Sequence, residues 1–222
     1  MVTLYHLPWS PFCRKVRLVL AEKKIPVELK TESVWLRRPE FLELNPAGEV
    51  PVLVDDDGTV VADSVAISEY LEDTRPEPGL IAGPAAGRAE IRRLVAWFDL
   101  AFHREVYRPL FHEKVIKRLL GQGGPDSNAI RSGHAQIRYH LDYIGYLIER
   151  RRWLAGGALS VADLAAAAQL SALDYIGDVP WAEFADAKDW YSRIKSRPSF
   201  RPLLDENLPG APPVRHYADL DF

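Results

Sequence analysis

The chain has 222 residues, 47% of them apolar and 27% charged, with 28 basic against 31 acidic side chains and a net charge of −3. This is an ordinary globular composition with length for one large or two small domains, and it gives no electrostatic reason to expect nucleic acid or an anionic membrane. The single cysteine, Cys13, excludes an internal disulfide framework and a cysteine-built zinc site, and a cytoplasmic, reducing compartment fits best.

No apolar run exceeds five residues, as at 94–98 and 164–168, whereas a membrane helix needs about 20. Pro8 and Pro11 interrupt the start and no cationic segment precedes an apolar one, so the protein reads as mature from Met1. Val2–His6 is a short β-prone run stopped by Pro8. Ser10 is placed to cap a helix whose first turn holds Pro11, where a missing N–H costs nothing. Phe12, Val16, Val19 and Leu20 recur at helical spacing, with Arg14, Lys15, Arg17, Glu22 and Lys23 in the other positions. Pro26 leads into a second strand over 27–30, and Arg37-Arg38-Pro39-Glu40-Phe41 begins a short helix that ends before Asn45-Pro46-Ala47-Gly48.

Two β-branched runs, 50–54 and 59–61, flank Asp55-Asp56-Asp57-Gly58 and predict a hairpin. Asp63 or Ser64 caps the next helix, whose apolar face runs from Val65 to Leu71. The Pro/Gly-rich stretch 75–87 reads as a linker. Beyond it the pattern is helical almost throughout. Ile91, Leu94, Val95, Phe98, Phe102 and Val106 describe one long helix with Pro109 as the place for a bend, ended by Gly121-Gln122-Gly123-Gly124-Pro125. A second long helix runs from Ile130 to Ile148, and Arg150-Arg151-Arg152 suits the negative end of its dipole better than a nucleic-acid patch. Ser160-Val161-Ala162-Asp163 has the form of a capping box opening a buried, Ala-rich helix. Trp190, Ile194 and Phe200 belong to a last helical segment before a Pro-rich tail with an aromatic, acidic end.

Three features carry chemistry. Backbone N–H groups and the helix dipole converge at Ser10-Pro11-Phe12-Cys13, which favours an anionic atom such as a thiolate. A two-cysteine redox couple is excluded because Ser10 takes the first place, while Cys13 one turn on keeps a minor redox role open. Val50-Pro51 opens a β-run, and a cis bond there would present the Val50 backbone to an extended peptide. Asp63-Ser64 at a helix start can hold a ligand carboxylate or simply cap the helix. The histidines show no metal-ligand spacing, and no Gly-rich phosphate loop follows a strand.

These three pieces, with Asn45-Pro46-Ala47-Gly48-Glu49-Val50-Pro51, Ile67-Ser68-Glu69-Tyr70-Leu71, Ser160-Val161-Ala162-Asp163-Leu164 and Arg197-Pro198, resemble the soluble glutathione S-transferase family over almost the whole chain. The resemblance implies an α/β thioredoxin-like N-terminal domain (1–76), a linker (77–87), an all-α domain (88–208) and a tail (209–222), commonly as a homodimer. It also implies that Ser10 is catalytic, donating a hydrogen bond to the glutathione thiolate with Phe12 beside it. Val50, Pro51, Asp63 and Ser64 would hold the tripeptide, Arg37 or Arg38 its glycyl end, and Asp163 would serve stability. A pocket for a small electrophile is expected around Trp97, Phe102, His103, Tyr107, Phe111 and His112, although aromatic residues at that spacing are more often core.

Two functions follow from the resemblance. One is a glutathione transferase with glutathione as cosubstrate. The other keeps the fold without the chemistry. Trp35 in a polar segment, Glu113 in Phe111-His112-Glu113-Lys114, and Asp219, Asp221 and Phe222 in the tail look like an alphaproteobacterial branch that binds filaments of the tubulin-like FtsZ in cell division.

Overall fold

The computed structural model describes residues 1–208 and 210–220. Its N-terminal part is a four-stranded mixed sheet in the order β2-β1-β3-β4, built from β1 (Val2–His6), β2 (Val27–Thr31), β3 (Val52–Val54) and β4 (Val60–Ala62). β1 runs parallel to β2 and antiparallel to β3, so Leu4 sits centrally between Leu29 and Leu53 and is fully buried. The hairpin between β3 and β4 closes through Gly58 at φ +89°, a left-handed angle that suits glycine.

Helix α1 (Pro11–Glu22) starts as the local signals dictate, with Ser10 as its cap and proline in its first turn. Its packing differs from expectation. The positions held by Arg14, Lys15 and Arg17 face protein instead of water, and Arg14 and Lys15 are wholly buried. The cause is α7 (Val161–Tyr175), an Ala-rich helix buried along its whole length, whose small side chains let it lie close against α1. Each buried cation is paired: Arg14 and Arg17 with Glu206, and Lys15 with Asp99.

Helices α2 (Pro39–Leu44) and α3 (Ser64–Thr74) complete the sheet's surroundings. Beyond the linker, α4 (Ala85–Ala96) continues without interruption into a π-wound segment, Trp97–Ile116, and a last turn, α5 (Lys117–Leu119). Pro109 lies inside this continuous rod, where wider winding accommodates a residue that lacks the N–H of a normal helical turn. Helix α6 (Ser127–Ile148) is capped by Asp126 and crosses the rod at Gly133, where a Cβ would lie 2.8 Å from Leu110. Helices α8 (Ala185–Lys195) and α9 (Arg201–Leu204) follow. The tail then straps back over α7: Tyr175 Oη donates to Ala211 O at 2.7 Å, Val214 N donates to Tyr175 O at 3.0 Å, and Tyr217 is fully buried against the Tyr175 ring. Tyr217 is therefore part of the core, and this stretch of the tail packs as a strap over the helical part. No helix among the described residues is long and apolar enough to cross a membrane.

Two of the three arginines after α6, Arg150 and Arg151, bond within the fold. Arg150 donates to Tyr146 O, and Arg151 donates to Glu90 and to Leu154 O, both at 2.8 Å. Hydrogen bonds from Arg93, reinforced by Arg151, hold the Glu90 carboxyl at about 2 against the opposing effect of burial. A depressed acid contributes stability above its unfolded value and loses it as the pH falls through the folded one. Thermal denaturation followed from neutral pH downwards should thus show a loss between the ordinary glutamate range and about 2, and Glu90→Gln should remove its share of that acid-dependent loss.

Candidate functional site

The turn between β1 and α1 sets the site. Ser10 N donates to Leu7 O at 3.1 Å, and Ser10 Oγ accepts from Cys13 N at 3.4 Å. That bond uses a lone pair of the hydroxyl and leaves its proton to donate. Cys13 lies beneath the turn, buried, its sulfur accepting Leu7 N–H at 3.4 Å. Burial pushes its thiol up to about 11, although hydrogen bonds from Ser10 and Leu7 pull the other way. A thiol held so high is largely protonated near neutral pH, which disfavours the minor redox role left open for Cys13.

A cleft opens beside this turn. Phe12, Val50, Pro51, Asp63 and Ser64, five of the residues singled out in the sequence, line it together. Glu49 and Val65 add to the same wall, and Asp99 and Leu100 of the π-wound segment form the opposite side. The Val50–Pro51 bond is cis, and Val50 precedes the β3 ladder, whose registered pairs begin at Val52. Asn45 fixes the approach to it by donating from Nδ2 to Glu49 O at 2.8 Å. Asp63 caps α3 from a left-handed backbone (φ 76°), its Oδ1 accepting from Val65 N at 2.6 Å and Ala66 N at 3.2 Å. Such strain in a non-glycine residue is concentrated at functional positions. Arg37 also has a left-handed backbone, and its guanidinium covers Gly48, so close that a Cβ there would sit 3.0 Å from Nη1. Arg38 is instead committed to Glu32.

Asp99 is one of four lining residues that sequence reasoning missed, with Glu49, Val65 and Leu100. It is 6% exposed and ion-paired to Lys15; burial raises its carboxyl above the ordinary range against the pull of that lysine. One acid within the apolar run Trp97-Phe98-Asp99-Leu100 was the available signal. The expected electrophile wall divides: Phe102, Tyr107 and Phe111 are core, because the inward side of the rod is packed against α6 and α7. His103 of that group meets the cleft wall, its ring 4.7 Å from that of Phe12 and stacked on Tyr107, and burial lowers it to about 4, so it is neutral at physiological pH.

Of the residues assigned to a partner, Trp35, Glu113 and Asp219 are described, each in a different setting. Trp35 is 47% exposed and stacks on Trp9, with ring centroids 6.2 Å apart and planes 12° from parallel, and Leu36 beside it is 64% exposed. Glu113 is turned to internal use: its Oε2 accepts from Lys117 Nζ at 2.6 Å and from Asp126 N at 2.7 Å, and the side chain is 12% exposed. Asp219 sits in the turn after Tyr217, its N–H on His216 O. Asp221 and Phe222 lie outside the described residues.

Residues 9–74 match the family described as glutathione S-transferase, N-terminal domain. The chain is 32% identical to glutathione S-transferase 3 of Zea mays, over 95% of this chain and 96% of that protein. The chain belongs to the glutathione S-transferase family. Within that family it is 49% identical to FtsZ-localized protein A of Caulobacter vibrioides, over 99% of this chain and 98% of the relative. The solved structure of a glutathione S-transferase from Rhodospirillum rubrum covers the chain completely, with 57% identity and a TM-score of 0.98. The cleft reaches the start of α1 at Phe12, two residues after Ser10, which is not itself among the lining residues, and it lies between the sheet part and the helical part of a glutathione S-transferase fold.

Proposed function

We propose that this family member is a cytoplasmic division protein that binds FtsZ filaments as a homodimer. The observation that carries this reading is its 49% identity with FtsZ-localized protein A, spread over both full lengths and well above the 32% shared with the maize transferase. Trp35 supports it physically. A half-exposed tryptophan stacked on Trp9, with Leu36 alongside, forms a preorganised apolar anchor of the kind that dominates binding energy at interfaces. Asp219, Asp221 and Phe222 supply a second contact from the tail, while Glu113 stays within the fold. The homodimer is assigned to the apolar groove between α3 and α4, where Val65 and Leu100 are exposed. In co-sedimentation with polymerised FtsZ, Trp35→Ala should weaken binding by about thirtyfold, the ~2 kcal/mol of a hot-spot aromatic. Unchanged pelleting by that variant contradicts the assignment of Trp35.

The cleft favours a second reading, that the protein also binds glutathione. A tripeptide suits its polar groups: the Val50 backbone for an extended peptide, the start of α3 with Ser64 for a carboxylate, and Asp63 Oδ2 for an ammonium, while Arg37, outside the lining and over Gly48, is the cation assigned to the far carboxylate. Glutathione supplies a thiol, and Ser10 holds its sulfur as thiolate by donating the hydroxyl proton in a hydrogen bond. A charge-assisted bond of that kind lowers a thiol pKa by about 1–2 units. Calorimetry should detect glutathione binding to the unmodified protein, and Ser10→Ala should raise the pKa of the bound thiol by that amount. Absence of binding at millimolar glutathione contradicts this reading and leaves the FtsZ reading standing.

A further inference from the structure

Arg14 has more partners than a buried cation needs for neutralisation. It stands in the first turn of α1, fully buried, and each arm of its guanidinium is directed. Nε donates to Pro8 O at 2.8 Å, two residues ahead of Ser10. Nη1 donates to Ser171 Oγ of α7 at 2.8 Å and to Tyr217 Oη at 3.3 Å, and Nη2 to Glu206 at 3.1 Å. The next carbonyl of the turn, Trp9 O, is held at 3.0 Å by Tyr107 Oη from the π-wound segment. The backbone that aims the Ser10 hydroxyl is therefore clamped from the helical part, and one clamp is the side chain on which the C-terminal strap closes.

We propose that Arg14 is a positioning residue that ties the C-terminal strap to the Ser10 turn, so that seating of Tyr217 and Glu206 sets the conformation of that turn, which runs into Phe12 of the cleft wall. The proposal rests on the glutathione reading of that cleft. Burying a guanidinium is costly unless every donor is used, and here the donors are divided between the turn, α7 and the strap. Lysine could not replace it, because a single ammonium cannot span these directions. A carboxylate from the strap, Glu206, fixes both Arg14 and Arg17, so α1 meets the strap at two points along its length. Whatever engages the tail beyond Tyr217 then acts on the cleft through a connected set of hydrogen bonds, without contact with a ligand there.

The test compares Tyr217→Phe and Glu206→Gln with Leu220→Ala, a change at the exposed end of the strap, in the full chain. Two readouts are taken. The first is the pH titration of thiolate absorbance for bound glutathione. The second is the native labelling rate of Cys13, the chain's one cysteine, whose sulfur accepts from Leu7 N–H under the Ser10 turn. Both strap variants should shift the thiol equilibrium and speed labelling by about three- to tenfold, the scale of one lost hydrogen bond, and Leu220→Ala should move neither. Tyr217→Phe keeps the buried ring, so it separates the hydroxyl's role from packing. Wild-type values of both readouts in both strap variants overturn the proposal, as does faster labelling with an unmoved thiol equilibrium in a protein that binds glutathione. If the unmodified chain takes up no glutathione, the glutathione reading falls, and Cys13 labelling alone decides whether the strap holds the turn.

Discussion

Asp163→Ala is expected to lower stability by about 3–5 kcal/mol, a fall of roughly 6–20 °C in Tm for a chain of this size. Asp163 is fully buried at the start of α7 and accepts four hydrogen bonds: from Leu154 N at 2.9 Å, from Ser160 N and Ser160 Oγ at 3.0 Å, and from Trp190 Nε1 at 3.0 Å. Alanine removes the acceptor and strands these donors where water does not reach, and each unpaired group carries a desolvation cost. The same residue joins three pieces of chain: the loop after α6, the cap of α7, and α8 through Trp190. Its loss should therefore loosen the helical part as a unit. Asp163→Asn keeps the volume and one acceptor oxygen but sets an NH2 against donors, so an intermediate loss is expected. Thermal denaturation of the three proteins checks the order, and an Asp163→Ala protein within about 1 kcal/mol of wild type contradicts the network's importance.

Lys15→Met should cost a similar amount, about 3–5 kcal/mol, because it leaves the Asp99 carboxylate alone in a buried site. The double change with Asp99→Asn should recover most of that loss, since removing both charges removes the imbalance. The pH dependence has a definite sign. Burial already raises the Asp99 carboxyl despite the neighbouring lysine, and Asp63 adds to the rise. An acid raised in the folded state contributes stability below its unfolded value and loses it as the pH climbs through the folded one. The penalty in Lys15→Met is thus largest near neutral pH and shrinks as the pH falls into the ordinary carboxylate range. Denaturant unfolding at neutral and acidic pH measures it, and a penalty that grows on acidification contradicts the account. Because Asp99 also faces the cleft, the single variant carries an uncompensated negative charge into the ligand site.

Much of the cleft was legible because its signals are local. Ser10 before Pro11, the Asp/Gly turn of the hairpin, and Ser160 with Asp163 three residues on each specify geometry within a single turn of chain. What escaped reading depends on distant partners. Arg14 and Lys15 looked like solvent positions on an amphipathic helix, yet Arg14 meets Ser171 and Tyr217 across 157 and 203 residues, and Lys15 meets Asp99 across 84. Nothing local to α1 announces a second helix covering its polar side; the hint was the run of alanines in α7, whose full burial required a close neighbour. The place of Tyr217 also depends on a distant partner, since its burial needs the Tyr175 ring that α7 supplies beneath it. Phe102, Tyr107 and Phe111 followed the commoner fate of helical aromatics and entered the core.

Association with FtsZ filaments is addressed directly by one sedimentation experiment. The unmodified full chain is centrifuged with FtsZ polymerised in GTP and, in parallel, with FtsZ held unpolymerised in GDP. The chain should pellet with the filaments and stay in solution without them. A chain that remains in the supernatant with polymerised FtsZ contradicts that association.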